Sequence, residues 1–227
     1  MENGYFQLAE GRMERAKISS VRFVIDPLSE ENFRMLFAEG HYSEIIAVLN
    51  GYRSSLLAAS DFPGNASDLL RWLLRACFWQ GEYSSVQEIN QSLRANHPMA
   101  ALSSFYETLG LLEQNRLDEA SARLAVLETG NRIPPFMIEY VRARIAFDRK
   151  QYTEALQYLA NVTLAHSRDS EWTPAGVFLE GMIYKKTGQT ETVAYVAEEL
   201  TLGWPESIWS RRAAELKESR TEQGETP

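Results

Sequence analysis

The sequence predicts an all-α protein built from repeated helix pairs, and three observations lead to that prediction. First, five short segments share one turn pattern, and their first residues lie 41, 34, 35 and 38 positions apart. Second, apolar residues between these segments recur every three or four positions, as on one face of an amphipathic helix. Third, proline or glycine falls between the repeats, as at Pro63-Gly64 and His97-Pro98. We therefore expect about five helix–turn–helix units followed by a capping helix.

Each shared segment begins with the residue that is expected to end the first helix of a pair. Glycine is favoured there, and asparagine next, because both adopt a left-handed backbone at low cost. The five positions are Gly40, Gly81, Asn115, Lys150 and Gly188. Three residues later comes a good capping residue, so we predict that the second helices begin at these side chains. The predicted N-caps are Ser43, Ser84, Asp118 and Thr153.

This pattern resembles the tetratricopeptide repeat (TPR), a helix–turn–helix unit of about 34 residues. The segment 151–156, Gln-Tyr-Thr-Glu-Ala-Leu, is the most similar to the family pattern. The resemblance implies a right-handed superhelical solenoid of about five TPR-like repeats, which with its C-terminal capping helix occupies residues 29–219. The first two repeats are degenerate, because Phe33 and Leu74 stand where the family has a small residue.

Two flanks lie outside the predicted array. Residues 1–28 are expected to form an extended N-terminal segment, because the β-branched run Val21–Ile25 ends just before Pro27. Residues 220–227 are expected to be a disordered tail. Within the array, the apolar stretch around Leu56 predicts that the second helix of the first repeat is extended.

Composition argues against several classes of function. The chain has 227 residues, a formal net charge of −8 and one cysteine. A single cysteine excludes an intrachain disulfide framework and a cysteine-based metal site. The negative charge argues against nucleic acid as a partner, and the lack of a long apolar run argues against membrane insertion. The polar N-terminus predicts a cytoplasmic protein, or a periplasmic one if a signal peptide has been removed.

The sequence contains no motif of nucleophilic, metal or nucleotide chemistry. Cys77 lies on the apolar face of a predicted helix, where core packing is the usual role of a free cysteine. His41, His97 and His166 lie at predicted turns or helix ends, one or more repeats apart, so they do not predict a metal site. We therefore predict no enzymatic activity, no metal and no cofactor.

The TPR resemblance also implies a concave groove lined by the first helix of each repeat. The register of the repeats assigns aromatic, aliphatic and arginine side chains to that groove, and aromatic residues and arginine are enriched in protein interfaces. The implied ligand is a protein or peptide with apolar and acidic residues. The candidate groove residues are Arg71, Arg75, Phe78, Phe105, Leu109, Tyr140, Arg144, Phe147 and Phe178.

The predicted function is a non-enzymatic scaffold or adaptor for protein–protein interaction, and two alternatives stay open. The segment Trp204-Pro205-Glu206-Ser207 is similar to the end of repeats in bacterial envelope-assembly TPR proteins, which favours a subunit of such a complex. A helical domain that senses a small molecule is the other alternative. Three alternatives stay open for the groove itself: it is open to a partner, its residues are buried within the array, or it is filled by Val21–Ile25. Neither the partner's identity nor the oligomeric state is predicted.

Overall fold

The computed structural model describes residues 5–8, 11–14, 18–25, 29–130, 132–165 and 171–217. Their regular structure consists of twelve α-helices and one antiparallel hairpin, which confirms the predicted all-α class apart from the hairpin. The strands are β1 (Tyr5–Leu8) and β2 (Gly11–Glu14). The helices are α1 (Glu30–Glu39), α2 (Tyr42–Asn50), α3 (Arg53–Ala59), α4 (Ala66–Gln80), α5 (Tyr83–Ser92), α6 (Ala100–Glu113), α7 (Leu117–Gly130), α8 (Pro135–Asp148), α9 (Tyr152–Ala165), α10 (Trp172–Lys186), α11 (Thr190–Gly203) and α12 (Ile208–Lys217).

The five predicted turns have one geometry. Gly40, Gly81 and Gly188 have φ of 83°, 84° and 78°, and Asn115 and Lys150 have 57° and 62°. At every turn this residue and the next donate their backbone N–H groups to two carbonyls of the preceding helix, the pattern of a Schellman motif. In the second turn, for example, Gly81 N donates to Phe78 O at 3.0 Å. The predicted helix–turn–helix units are therefore present five times.

The second helix of each pair begins one residue earlier than predicted. The helices α2, α5, α7 and α9 start at the apolar residue of the turn, so Ser43, Ser84, Asp118 and Thr153 lie inside their first turns. The prediction that these four residues are N-caps is wrong. The cause is the short turn, in which only two or three residues separate the paired helices. The N-cap positions of α2 and α5 are His41 and Glu82, neither of which forms a capping side-chain hydrogen bond.

The chain divides into two compact units, Met1–Gly110 and Leu111–Pro227. In unit 1, α4 packs against α1, α2, α3 and α5. The apolar stretch around Leu56 forms the separate helix α3 rather than an extension of α2, because the chain turns at Gly51 and Tyr52. The predicted extension of the second helix is thus replaced by a break.

The segment 21–25 docks on the loop between α3 and α4. Val21 N donates to Pro63 O at 2.9 Å, and the Asn65 side chain exchanges two hydrogen bonds of 2.8 Å with the backbone of Phe23. Gly64 has a φ of 146°, and a Cβ at that position would overlap the Val21 carbonyl oxygen. The loop therefore requires glycine to accept this segment.

In unit 2, α8 packs against α7 and α9, and α10 packs against α8, α9, α11 and α12. Close approach at α10 depends on Gly181. A Cβ there would lie 2.7 Å from Leu216 Cδ1 and 2.9 Å from Val196 Cγ1. The absence of a side chain at Gly181 thus lets α11 and α12 reach α10. Of the helices described, none is both long and apolar enough to cross a membrane.

Candidate functional site

The nine candidate groove residues fall into two groups, one in each compact unit. Unit 1 holds five of them and unit 2 holds four. The structure buries most of the apolar members within the chain. The buried side chains are Phe78, Phe105, Leu109, Tyr140 and Phe178, each with 6% or less of its surface exposed. These five residues pack in the core of their units, as in the self-burial alternative, and the groove formed by all nine stays a prediction.

In unit 1, the buried members belong to an aromatic cluster between α4, α5 and α6. The Phe78 ring lies 5.3 Å from the Tyr106 ring and 6.0 Å from the Tyr83 ring, centroid to centroid. Phe105 lies 5.5 Å from Tyr106 in an edge arrangement. Such pairs add to the stability that burial of the rings provides. The role of Phe78 and Phe105 here is core packing.

The two arginines of unit 1 differ in their surroundings. Arg75 is half-buried, and its guanidinium carbon lies 4.0 Å from the Phe37 ring centroid and 4.8 Å from that of Trp72. This is the geometry of a cation–π contact. Arg71 is exposed and forms a weak pair with Asp68 one turn earlier, at 3.7 Å. The contacts described for Arg75 are thus with aromatic rings, and the contact described for Arg71 is with a carboxylate.

In unit 2, three predicted residues meet three that the sequence analysis did not single out. We call this group the arginine–aromatic surface. The residues come from α8, α10 and α12, whose packing on one another brings them together. The group consists of Tyr140, Arg144, Trp172, Phe178, Trp209 and Arg212.

Arg144 forms the charged centre of this surface. Its Nη2 lies 2.9 Å from Glu113 Oε1, and its side chain is 18% exposed. Burial opposes its charge, but Tyr140 and the Glu113 and Asp148 carboxylates more than compensate, so the pKa of Arg144 is raised overall. Burial raises the pKa of the Tyr140 hydroxyl, while the positive charges of Arg144 and Arg212 both act to lower it. Two guanidinium groups from different helices therefore act on one buried hydroxyl.

Arg212 lies over aromatic rings. Its guanidinium carbon is 4.8 Å from the Phe178 centroid and 5.2 Å from that of Trp209, and the two rings are 5.1 Å apart. Trp209 is held by a hydrogen bond of 3.1 Å from its Nε1 to Glu171 O. Arg212 also pairs with Glu215 at 3.0 Å, and its side chain is 39% exposed. It therefore offers a cation to solvent at the edge of the buried rings.

Trp172 completes the floor of the surface, with its ring 5.4 Å from that of Tyr140. The sequence analysis missed Trp172, Trp209 and Arg212 because they lie at a helix start and on the capping helix, outside the repeat register. Their residue types are a usable signal, since tryptophan and arginine are enriched in binding sites.

Phe147, the fourth predicted residue of unit 2, is half-buried and lies 5.9 Å from Tyr152, centroid to centroid.

The remaining singled-out residues have local roles. Burial raises the pKa of the Cys77 thiol to about 12, so the reactive thiolate is scarce at neutral pH. His97 is buried and accepts a hydrogen bond of 3.0 Å from Met99 N at its Nδ1. His41 is exposed beside Glu44, and His166 lies outside the described residues. Within the described part of the chain, no three histidine, cysteine or acidic side chains come together as metal ligands would.

A polar cleft of about 230 Å³ lies between α7, α8 and α9. Arg142 is neutralised there by Glu128 at 2.8 Å and by Glu139 at 2.5 Å. Arg149 donates to Ser121 Oγ at 3.1 Å. Ligand pockets usually measure about 300–1,000 Å³, so the cleft is small for a metabolite.

The geometry of unit 2 thus presents cations over aromatic rings, an arrangement that suits an acidic and apolar ligand. Comparison of the chain with protein-family models, with curated proteins and with solved structures finds no match in any of the three.

Proposed function

We propose that the protein is a non-enzymatic adaptor, and that its arginine–aromatic surface binds a peptide or helix carrying acidic and apolar residues. One observation supports this most directly: the guanidinium carbon of Arg212 lies 4.8 Å from the Phe178 ring centroid, and the Arg212 side chain is 39% exposed at the edge of the buried rings. A guanidinium group at such an edge recognises a carboxylate through charge-assisted hydrogen bonds, while the rings beside it offer apolar contact.

The burial pattern assigns different roles to the residues of this surface. Tyr140, Trp172, Phe178 and Trp209 are each less than 10% exposed and form its floor. The accessible contacts come from Arg144 and Arg212. The carboxylates of Glu113 and Glu215 pair with the arginines now, and an acidic residue of a partner would take their place. A few such contacts carry most of the binding energy in protein interfaces.

The five repeated turns support the proposal that the helix pairs are TPR-like repeats. Such repeats stack on their neighbours, and adaptors use the surfaces that result. The right-handed superhelical arrangement, the concave groove and a role in bacterial envelope assembly stay predictions of the resemblance.

Binding of a labelled amphipathic peptide of leucine and glutamate, followed by fluorescence anisotropy, tests the proposal. We expect Arg212→Gln to weaken binding about tenfold, since one charge-assisted contact is worth about 1.5–3 kcal/mol. Arg211→Gln is the matched control, because it removes the neighbouring positive charge of α12. Equal losses in both variants would mean that only net charge matters and would contradict the proposal.

A thermal-shift panel of metabolites separates the adaptor from a small-molecule sensor. A ligand that binds only the folded state raises the melting temperature as its concentration exceeds its dissociation constant. We expect no metabolite to do so, because the cleft between α7, α8 and α9 is small. A strong shift that is lost in Arg149→Ala would favour the sensor.

A further inference from the structure

The outer face of α11 exposes two large apolar side chains, on the side away from its buried residues Val193, Val196, Ala197 and Leu200. Tyr195 is 72% exposed and Leu202 is 74% exposed. Among the described residues, no other helix carries two such exposed large apolar side chains. Their spacing of seven residues is two turns, so they lie on the same side of the helix. We call this side the α11 face.

Carboxylates border the α11 face on both edges. At 3.6 residues per turn, Glu191 and Glu198 lie along one edge of the apolar pair and Glu199 along the other. All three side chains are exposed, and α11 contains no lysine, arginine or histidine. The face is therefore apolar at its centre and negative at its rim.

The neighbouring helix adds a fourth carboxyl group beside Glu199. Glu180 of α10 is half-buried, and burial together with the charge of Glu199 raises its pKa to about 7. Among the described residues Glu180 forms no ion pair. Its charge contributes, after burial, to raising the pKa of Tyr184 on the same helix. In the described part of the chain, negative charge at this edge thus has no basic side chain paired with it.

We propose that the α11 face is a second docking surface, and that it takes a basic amphipathic helix or peptide whose apolar residues cover Tyr195 and Leu202. Charge complementarity selects this occupant: lysine or arginine beside the apolar contacts would meet the carboxylates at both edges. Pairing of this face with the same face of a second copy is disfavoured, because it would set carboxylate against carboxylate. The ligand is opposite in charge to the one proposed for the arginine–aromatic surface, so the adaptor would bind two kinds of partner.

Fluorescence anisotropy with a labelled amphipathic peptide of leucine and lysine tests this docking surface on the full chain. We expect salt-dependent binding of this peptide, and a loss of about tenfold in the double variant Tyr195→Ala, Leu202→Ala. The matched control is Asp118→Asn with Val126→Ala, which removes a carboxylate and an exposed apolar side chain from α7. It should bind as the wild type does.

Two further readouts make the result decisive. The double variant Glu198→Gln, Glu199→Gln keeps the apolar side chains. Weaker binding of the leucine–lysine peptide by this variant would therefore measure what the two carboxylates contribute to its affinity. Equal weakening by the α7 control, or unchanged binding in the Tyr195, Leu202 variant, would overturn the proposal. So would a wild-type dimer in sedimentation that the Tyr195, Leu202 variant converts to a monomer, because a second copy would then cover the face.

Discussion

The arginine–aromatic surface and the α11 face lie in the same compact unit and use apolar side chains in opposite ways. Phe178 and Trp209 are buried by their neighbours, and the arginines beside them are cationic. Tyr195 and Leu202 project into solvent between carboxylates. An apolar side chain that is buried within the chain stabilises the fold, whereas an exposed one is available to contact a partner. Four predictions test that contrast.

The largest effect is expected for Phe178→Ala. Its ring is 5% exposed and its centroid lies 5.1 Å from that of the Trp209 ring, so its removal leaves a cavity at the junction of α10 and α12. We expect a loss of about 3–5 kcal/mol in the free energy of unfolding, measured by denaturant titration. A loss below about 1 kcal/mol would show that the ring is not part of the core.

Arg144→Ala should come next. It removes the partner of Glu113 and one of the two cations that act on Tyr140. We expect a loss of about 1–3 kcal/mol, because the largely buried Arg144 side chain is hydrogen-bonded to the buried Tyr140 hydroxyl and pairs with Glu113, whose side chain is 37% exposed. Arg71→Ala is the control: its exposed contact at 3.7 Å should contribute less than about 0.5 kcal/mol. If Glu113 is the cause, the double variant Arg144→Ala, Glu113→Ala will be more stable than Arg144→Ala alone.

Glu180→Gln should stabilise the protein in a pH-dependent manner. The folded state raises the pKa of Glu180 from 4.5 to about 7. The contribution of its protonated form to the free energy of unfolding is therefore fully present below about pH 4.5 and is lost as the pH rises through 7. Glutamine stays neutral, so the variant should exceed the wild type by about 1–2 kcal/mol at pH 8 and match it at pH 4. Thermal melts across this range measure the difference. The same gain at both pH values would exclude titration as its cause, and Glu198→Gln, on the exposed rim, provides the control.

The smallest effect on stability is expected for Tyr195→Ala with Leu202→Ala. Both side chains are more than 70% exposed, so their removal forfeits little burial. We expect a change within about 0.5 kcal/mol in the free energy of unfolding. A loss as large as that of Phe178→Ala would remove the contrast between the two surfaces.

Local features of the fold were the easiest to predict from the sequence. All five turns lie at the expected residues, and even Lys150, a poor choice for a left-handed backbone, adopts a φ of 62°. The repeat pattern around it therefore predicts the turn better than the residue type does. The predicted N-caps Ser43 and Ser84 lie two residues beyond the N-cap positions His41 and Glu82, because a composition pattern does not reveal how few residues the turn needs. The break before α3 was missed for a similar reason, since apolar content alone does not distinguish one long helix from two short ones.

The candidate site was predicted less completely. Tyr140, Arg144 and Phe178 are among the expected positions and do belong to one surface. Trp172, Trp209 and Arg212 were absent from that prediction, since repeat register says nothing about a capping helix. The exposure of Tyr195 and Leu202 likewise could not be inferred, because an apolar residue on a helix is as consistent with a buried face as with a free one.

The sequence by itself determined where helices end and pair, because a Schellman turn depends on a left-handed residue and on hydrogen bonds to carbonyls within the preceding helix turn. Tertiary structure alone decided which apolar side chains are core and which are surface. That outcome depends on residues far apart in the chain, such as Phe178 and Trp209, meeting across packed helices. Burial is a property of the assembled layers, so it determines which residues of this protein remain free to bind a partner.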